Sequence, residues 1–171
     1  MFFLTQENDY HKDVAGYFFG NMYILQIQHG IQSLHCATNM GSKYGRDDNT
    51  AESVLYYDWI DRAKTVQLFN GGMQDRLEKI YSFLELACPI LGLPYAKFNE
   101  EQRAMNGTLT SVGFIARPED LDLDSSIIDT NPSLRLNKIK LLPGFDTKNT
   151  RLTKHDAKLL LAIIMHKARY A

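Results

Sequence analysis

A stretch without a single Asp, Glu, Lys or Arg, residues 14–42, constrains the fold of this 171-residue chain more than any other feature. Five Gln and His side chains interrupt its apolar residues, which favours a buried strand and helix over a membrane span. We predict a strand over residues 22–28, where polar and apolar side chains alternate, and a helix over residues 31–40. Gly30 would form the turn between them, and Gly20–Asn21 a turn before the strand.

The rest of the chain alternates between strand and helix patterns. We predict helices from near Thr50 and over residues 73–87 and 154–169, and strands over residues 63–69, 94–99, 108–115 and 134–142. Thr153, with Asp156 three residues later, is typical of a helix start. This order predicts an α/β sandwich with a mixed sheet and an added C-terminal helix. We expect one domain over residues 1–171, with an N-terminal arm (1–16), a core (17–142) and a basic C-terminal helical extension (143–171).

The net charge of −1 conceals an asymmetry between the two ends of the chain. From Asn131 onward there are nine basic residues and two acidic ones, a net charge of +7, so the preceding residues carry −8. Such a basic segment would bind nucleic acid or an acidic partner, or fold back onto its own acidic body. Its predicted helix is apolar on more than one face, which favours packing on the body and a homodimer contact with a second subunit.

The two cysteines and the start of the chain bear on its compartment. Cys36 and Cys88 lie in apolar helical stretches without C-x-x-C spacing, which predicts two buried free thiols in a reducing compartment. Met1–Leu4 is apolar but lacks the basic start of a signal peptide, so a signal peptide is not predicted. A cytoplasmic protein that does not enter the membrane is the resulting expectation.

Several polar residues are candidates for a site, each with a simpler structural interpretation. His29 and His35 are six residues apart, a spacing that matches no standard metal motif, so no metal is predicted. Gln32 and His35 share one face of the predicted helix and either bond within the fold or belong to a site. The polar run Glu100–Arg103 lies between two predicted strands and is either a solvated turn or the edge of a cleft.

Gln32–Ala37, with the sequence Q-S-L-H-C-A, resembles the Q-x-x-H-A-A helix start of the class 2 (archaeal and eukaryotic type) peptidyl-tRNA hydrolases. Similar pieces follow in order: Lys64–Leu68 resembles the family's K-x-V-x-L strand, Leu91–Pro94 its x-G-L-x segment, and Gly107–Gly113 its G-T-x-T-x-x-G strand. The resemblance covers residues 22–142. It implies a three-layer α/β/α sandwich around a small mixed sheet, without a cofactor, that binds and hydrolyses peptidyl-tRNA or a related RNA ester.

The chain departs from this family at both catalytic segments. Gln28–Ile31 replaces the lysine-rich G-K-x-A-A-Q loop, and Phe98–Gln102 stands where the family has D-A-G-x-T. The Glu101–Gln102 pair resembles the E-Q of a divergent branch without the usual aspartate. The family's residues therefore carry over only to Gln32, His35, Gly107 and Thr110.

Hydrolysis of an ester requires a base that activates water and donors that stabilise the oxyanion. We expect Glu101 as the base and His29 as donor or proton shuttle, with Gln32, His35 and Thr110 in support. The residues expected to contact the RNA substrate are Gln28, Gln102, Lys138, Lys140, Arg151, Lys154 and Lys158. The alternative is a catalytically inactive RNA- or protein-binding module on the same fold.

Overall fold

The fold was taken from a computed structural model of the chain, which describes residues 13–123, 126–136, 152–168 and 170–171. In chain order its elements are β1 (Ala15–Asn21), α1 (Gln26–Lys43), α2 (Ala51–Asp58), a π-helical turn (Trp59–Ala63), β2 (Thr65–Gly72), α3 (Gln74–Leu91), β3 (Tyr95–Asn99), α4 (Gln102–Met105), β4 (Leu109–Ala116), a 3-10 turn (Pro118–Asp120), α5 (Ser126–Thr130), a 3-10 turn (Pro132–Leu134) and α6 (Lys154–Met165).

The four strands form one mixed sheet in the order β2-β1-β4-β3. β1 is parallel to β2, whereas β4 is antiparallel to both β1 and β3. All seven residues of β1 and all eight of β4 are buried, because both strands are central and covered on both faces. The predicted α/β class with a mixed sheet is therefore confirmed.

Helices cover both faces of the sheet. Consecutive side chains of a strand point to opposite faces. Phe18 packs on Trp59, at the end of α2, with 6.1 Å between ring centroids. A Cβ built on Gly71 would meet both Leu77 of α3 and Phe19, so α3 lies on the Phe19 face. This arrangement is compatible with a three-layer sandwich.

The C-terminal helix α6 packs against α3. Its buried side chains include Leu161, Ile163 and Ile164. The predicted start is confirmed, since Thr153 and Asp156 form a reciprocal capping box. The helix ends at Met165, before the predicted Arg169. Beyond it, Tyr170 pairs antiparallel with Phe69 of β2.

The predicted strand over residues 22–28 is wrong. The first strand is Ala15–Asn21, residues 22–25 form a turn, and α1 already begins at Gln26. β1 is buried on both faces and shows a continuous apolar run, whereas the alternation that predicted a strand falls on a turn and on the first helical turn. The predicted arm 1–16 also extends too far, since Ala15 and Gly16 belong to β1.

The other predicted helices and the predicted strands up to residue 115 are found, with shifted ends. The predicted turns at Gly20–Asn21 and at Gly30 are wrong, because Gly20 and Asn21 belong to β1 and Gly30 lies within α1. α1 extends the predicted helix in both directions. α3 continues past Ala87 and Pro89 to Leu91, and Gly92 then takes the left-handed conformation that ends it (φ 67°). The predicted strand 134–142 does not begin as one, because Leu134 lies in a 3-10 turn, and residues 137–142 are outside the described residues.

Two further observations concern the thiols and the membrane. Cys36 and Cys88 are buried free thiols, as predicted. Of the helices in the described ranges, none is long and apolar enough to cross a membrane.

Candidate functional site

The carboxyl ends of the adjacent parallel strands β1 and β2 border the first part of the site. β1 leads into α1, and β2 leads into α3. Gly20 shares the Phe18 face of the sheet and lies directly under His29 of α1, whereas α3 packs on the Phe19 face. Helices that leave neighbouring parallel strands toward opposite faces create a crevice at the strand ends, where ligands bind in open α/β sheets.

A cleft of about 170 Å³ occupies this position. Gly20, Asn21, Met22, Ile24, Gln26, His29, Asn70 and Ala171 line it. Asn21 and Asn70 come from the ends of the two parallel strands. The side-chain oxygen of Asn21 accepts a hydrogen bond from the backbone N–H of Tyr23 (3.0 Å) and so fixes the turn that replaces the predicted strand.

His29 is the titratable group of this cleft. The imidazole is only 3% exposed, and its Nε2 has no hydrogen-bond partner in the described part of the chain. Burial lowers the pKa of His29, because the charged form loses its hydration. The ring is therefore neutral at physiological pH, and Nε2 is a free donor or acceptor, depending on the tautomer.

Three side chains from different elements meet one helical turn further along α1. The amide nitrogen of Gln32 donates to Oε2 of Glu100 at 2.8 Å. The hydroxyl of Thr110 lies 3.1 Å from the amide oxygen of Gln32 and 3.4 Å from the carbonyl of Phe98. The contacts with Thr110 and with Glu100 fix the orientation of the Gln32 amide. Its oxygen points toward β4 and its nitrogen toward the carboxylate.

The two parts of the site adjoin. Nδ2 of Asn21, at the end of β1, donates to the carbonyl of Leu109 at 3.4 Å, and Leu109 precedes Thr110. The end of β1, the start of β4 and the end of β3 therefore form one polar end of the sheet beneath the first half of α1. We call this region the polar end of the sheet.

The sequence-predicted residues divide into two groups. The structure brings Gln32 and Thr110 into direct contact, with His35 beside them, since its ring stacks on Phe98 at 4.7 Å. His29 lies in the adjoining cleft. Gln28, Glu101 and Gln102 are exposed, and Glu101 is positioned at the start of α4.

The carboxylate that contacts Gln32 belongs to Glu100, which was not among the predicted site residues. Glu100 and Glu101 are adjacent and chemically identical, so only the end of β3 decides which one turns toward α1. Asn21 and Asn70 were also missed as lining residues. Both residues lie toward the ends of parallel strands. A correctly predicted end of β1 would have pointed to this edge of the sheet.

The predicted substrate-binding cations lie elsewhere. Nζ of Lys158 donates to the carbonyl of Glu119 at 2.7 Å, and Lys154 is exposed at the start of α6. Lys167, in the same segment, lies 3.6 Å from Asp129. Lys138, Lys140 and Arg151 are outside the described residues. Two cations of the basic segment thus contact the body, which is the fold-back alternative.

A second cleft of about 300 Å³ supplies other cations. Met22, Asn70, Gly72, Arg76 and Lys167 line it. It shares Met22 and Asn70 with the His29 cleft, so the two clefts are neighbours. Arg76 belongs to the first turn of α3 and was not among the residues predicted to contact RNA.

Metal ligands do not cluster among the residues that the structure describes. Within those ranges, no group of three or more His, Cys, Asp or Glu side chains is placed to hold a metal ion.

Comparison with known proteins gives no family. Neither the profiles of known protein families nor the curated proteins include one that matches this sequence. The function is accordingly inferred from the side chains of the site and from the partial motifs in the sequence.

Proposed function

We propose that the protein is a divergent peptidyl-tRNA hydrolase-like enzyme that binds peptidyl-tRNA or a related RNA ester and hydrolyses it at the polar end of the sheet. One observation carries the proposal, namely the Glu100–Gln32–Thr110 chain of hydrogen bonds next to the His29 cleft. Gln32 and Thr110 are also two of the residues through which the sequence resembles that family.

Glu100 is the general base of this proposal. Its side chain is half-buried, and one oxygen accepts a hydrogen bond from Gln32, which leaves the other oxygen to bind and deprotonate a water molecule. Gln32 is the positioning residue, since Thr110 fixes the amide whose nitrogen holds the carboxylate. The geometry thus favours Glu100 over its exposed neighbour Glu101 for this role.

His29 is the hydrogen-bond donor or proton shuttle of this proposal. When the ester carbonyl is attacked, the oxyanion or the departing ribose oxygen needs a hydrogen-bond donor. A neutral imidazole would supply one without the cost of a buried charge. In the described part of the chain Nε2 is unpartnered and lies against Gly20, so the ring would have to turn toward the cleft to donate to the ester. This interpretation keeps His29 as donor or shuttle.

Arg76 and Lys167 would take over the contacts to RNA phosphates that the family assigns to its lysine loop. Both line the cleft that neighbours the His29 cleft. Cations that contact phosphates beside the reacting ester contribute affinity for RNA that is independent of its sequence and falls as the salt concentration rises.

Two adjacent glutamates provide a matched test. With purified protein and an N-acetylaminoacyl-tRNA as substrate, we expect Glu100→Gln to lower the rate of ester hydrolysis by about 10²–10⁴-fold, the usual contribution of a general base. Glu101→Gln makes the same chemical change one residue away, on an exposed side chain, and should leave the rate within a few-fold of the unaltered protein. Release of the amino acid from the tRNA is the measurement.

Two outcomes would remove the catalytic role. If the unaltered protein releases no more amino acid than buffer alone, the chain does not hydrolyse this ester. If both glutamate variants lose activity equally, Glu100 is not the base.

A non-catalytic binding module is the second candidate function. The observation that favours it is the pair of cations Arg76 and Lys167 in the second cleft, which would bind RNA phosphates whether or not the ester is cleaved. Salt-sensitive binding of tRNA without release of the amino acid would support this function over hydrolysis.

A further inference from the structure

Helix α1 has two apolar faces, of which only one is buried. His29, Ser33, Cys36, Ala37 and Met40 form the stripe that packs on the sheet. On the opposite side Ile27, Ile31 and Leu34 recur at the i, i+4, i+7 spacing and point to solvent, with Ile27 77% and Leu34 65% exposed. A surface helix normally carries charged side chains on this side.

The exposed apolar surface extends beyond the helix. Tyr23 and Leu25, in the turn before α1, are 74% and 70% exposed. The Tyr23 hydroxyl lies 3.7 Å from the sulfur of Met73, which joins the start of α3 to the same surface. We call this surface the α1 patch, and it consists of Met22, Tyr23, Leu25, Ile27, Ile31, Leu34 and Met73.

The size of the α1 patch matches one side of a dimer interface. Seven large apolar side chains that expose roughly 100 Å² each present about 700 Å² together. A standard interface buries about 800 Å² per partner, whereas the largest apolar patch of a typical monomer measures about 300–600 Å². The patch therefore has the extent that a stable pair of chains requires.

The charge of the α1 patch favours an identical partner. None of its residues is ionisable at neutral pH, and residues 14–42 contain no Asp, Glu, Lys or Arg. In a two-fold contact each patch meets its own copy, so any charge at the centre would meet a like charge. An uncharged patch avoids this repulsion, and the cations Arg76 and Lys167 lie only at its edge, in the cleft beside Met22.

We propose that the α1 patch is the contact surface of a two-fold homodimer, with the α1 helices of the two copies packed antiparallel around Ile31. The ridge of Ile27, Ile31 and Leu34 on one copy packs against the same ridge on the other. The interface is distinct from the C-terminal helix, whose Leu161, Ile163 and Ile164 are buried within the chain. Since Met22 lines the His29 cleft, the second copy sits beside the proposed site.

Sedimentation velocity of the full chain over a range of concentrations tests the dimer. We expect a monomer–dimer equilibrium, and Ile27→Glu should raise its dissociation constant more than about 100-fold, because two glutamates would be desolvated against an apolar surface. Val54→Glu is the matched control, since Val54 is also an exposed apolar residue on a helix but lies outside the patch. It should leave the dissociation constant unchanged, and circular dichroism of each variant checks the fold.

A cysteine at position 31 gives a second readout. Cys36 and Cys88 are buried, so Ile31→Cys adds an exposed thiol near the proposed axis. We expect a disulfide-linked dimer on addition of a thiol oxidant, and none from Val54→Cys. A protein that stays monomeric, forms open-ended aggregates, or keeps its dimer in Ile27→Glu would overturn the proposal. None of these results depends on hydrolytic activity, so the dimer and the proposed function are tested separately.

Discussion

At the scale of single residues, the polar end of the sheet combines two different solutions to burying a polar group. Gln32 and Thr110 satisfy each other and hold Glu100, so their burial costs little. His29 is instead buried with a nitrogen that has no partner among the residues the structure describes, a costly arrangement in a folded protein. Unsatisfied buried groups of this kind are candidates for a functional role, which is why His29 enters the proposed mechanism.

The buried imidazole of His29 makes stability depend on pH. Because burial lowers the pKa of His29 in the folded state, the unfolded chain takes up the proton first as the pH falls below about 6.5. The free energy of unfolding should therefore fall with pH below that value and level off, for this group, below its folded pKa. We expect His29→Phe, which keeps a ring over Gly20, to flatten this part of the profile.

Urea denaturation at a series of pH values measures the effect. His155→Phe, at an exposed histidine, is the control and should keep the slope of the unaltered protein. Acidic groups affect all three proteins alike at lower pH, so the difference between the profiles isolates His29. An unchanged slope in His29→Phe would mean that the imidazole is protonated equally in both states.

At the scale of elements, the approach of α1 to β1 depends on one glycine. A Cβ on Gly20 would lie 2.1 Å from the His29 ring, whereas a Cβ on Gly30, in the same helix as His29, would meet nothing within 4 Å. The first glycine is thus needed for packing between two elements. The second only weakens its own helix.

Alanine at these two positions should change stability in opposite directions. We expect Gly20→Ala to lower the free energy of unfolding by about 1–3 kcal/mol, because it overpacks the strand–helix contact. Gly30→Ala should raise it by about 0.5–1 kcal/mol through helix propensity. Urea denaturation measures both changes.

A double variant locates the cause of the Gly20 effect. If the His29 ring is the group that Gly20→Ala displaces, combining it with His29→Ala should cost less than the sum of the single changes. Strict additivity would contradict the contact.

At the scale of the whole molecule, α6 belongs to the same core as the sheet-covering helix α3. Leu161 is fully buried although it lies far along the chain in the basic C-terminal segment. We expect Leu161→Ala to lower the free energy of unfolding by about 2–5 kcal/mol through the cavity it leaves. Unfolding should remain a single transition, as is usual for one cooperative domain.

Val54→Ala, at an exposed position, is the control for this change and should alter stability by less than about 0.5 kcal/mol. Thermal unfolding followed by circular dichroism measures both variants. A small effect of Leu161→Ala, or two separate transitions, would mean that α6 does not share the core.

The α/β class, most helices and strands, and the capping box of α6 are predictable from the residues alone, because they follow from local periodicity and local hydrogen bonds. Short motifs also selected Gln32, His35 and Thr110, which the fold brings close together. The position of β1 depends on tertiary contacts, because this strand is central and buried on both faces and so shows no alternation of polar and apolar residues. Tertiary contacts also place Glu100 rather than Glu101 against α1 and leave one face of α1 exposed. These features depend on which surfaces of distant segments meet, which no local pattern of residues encodes.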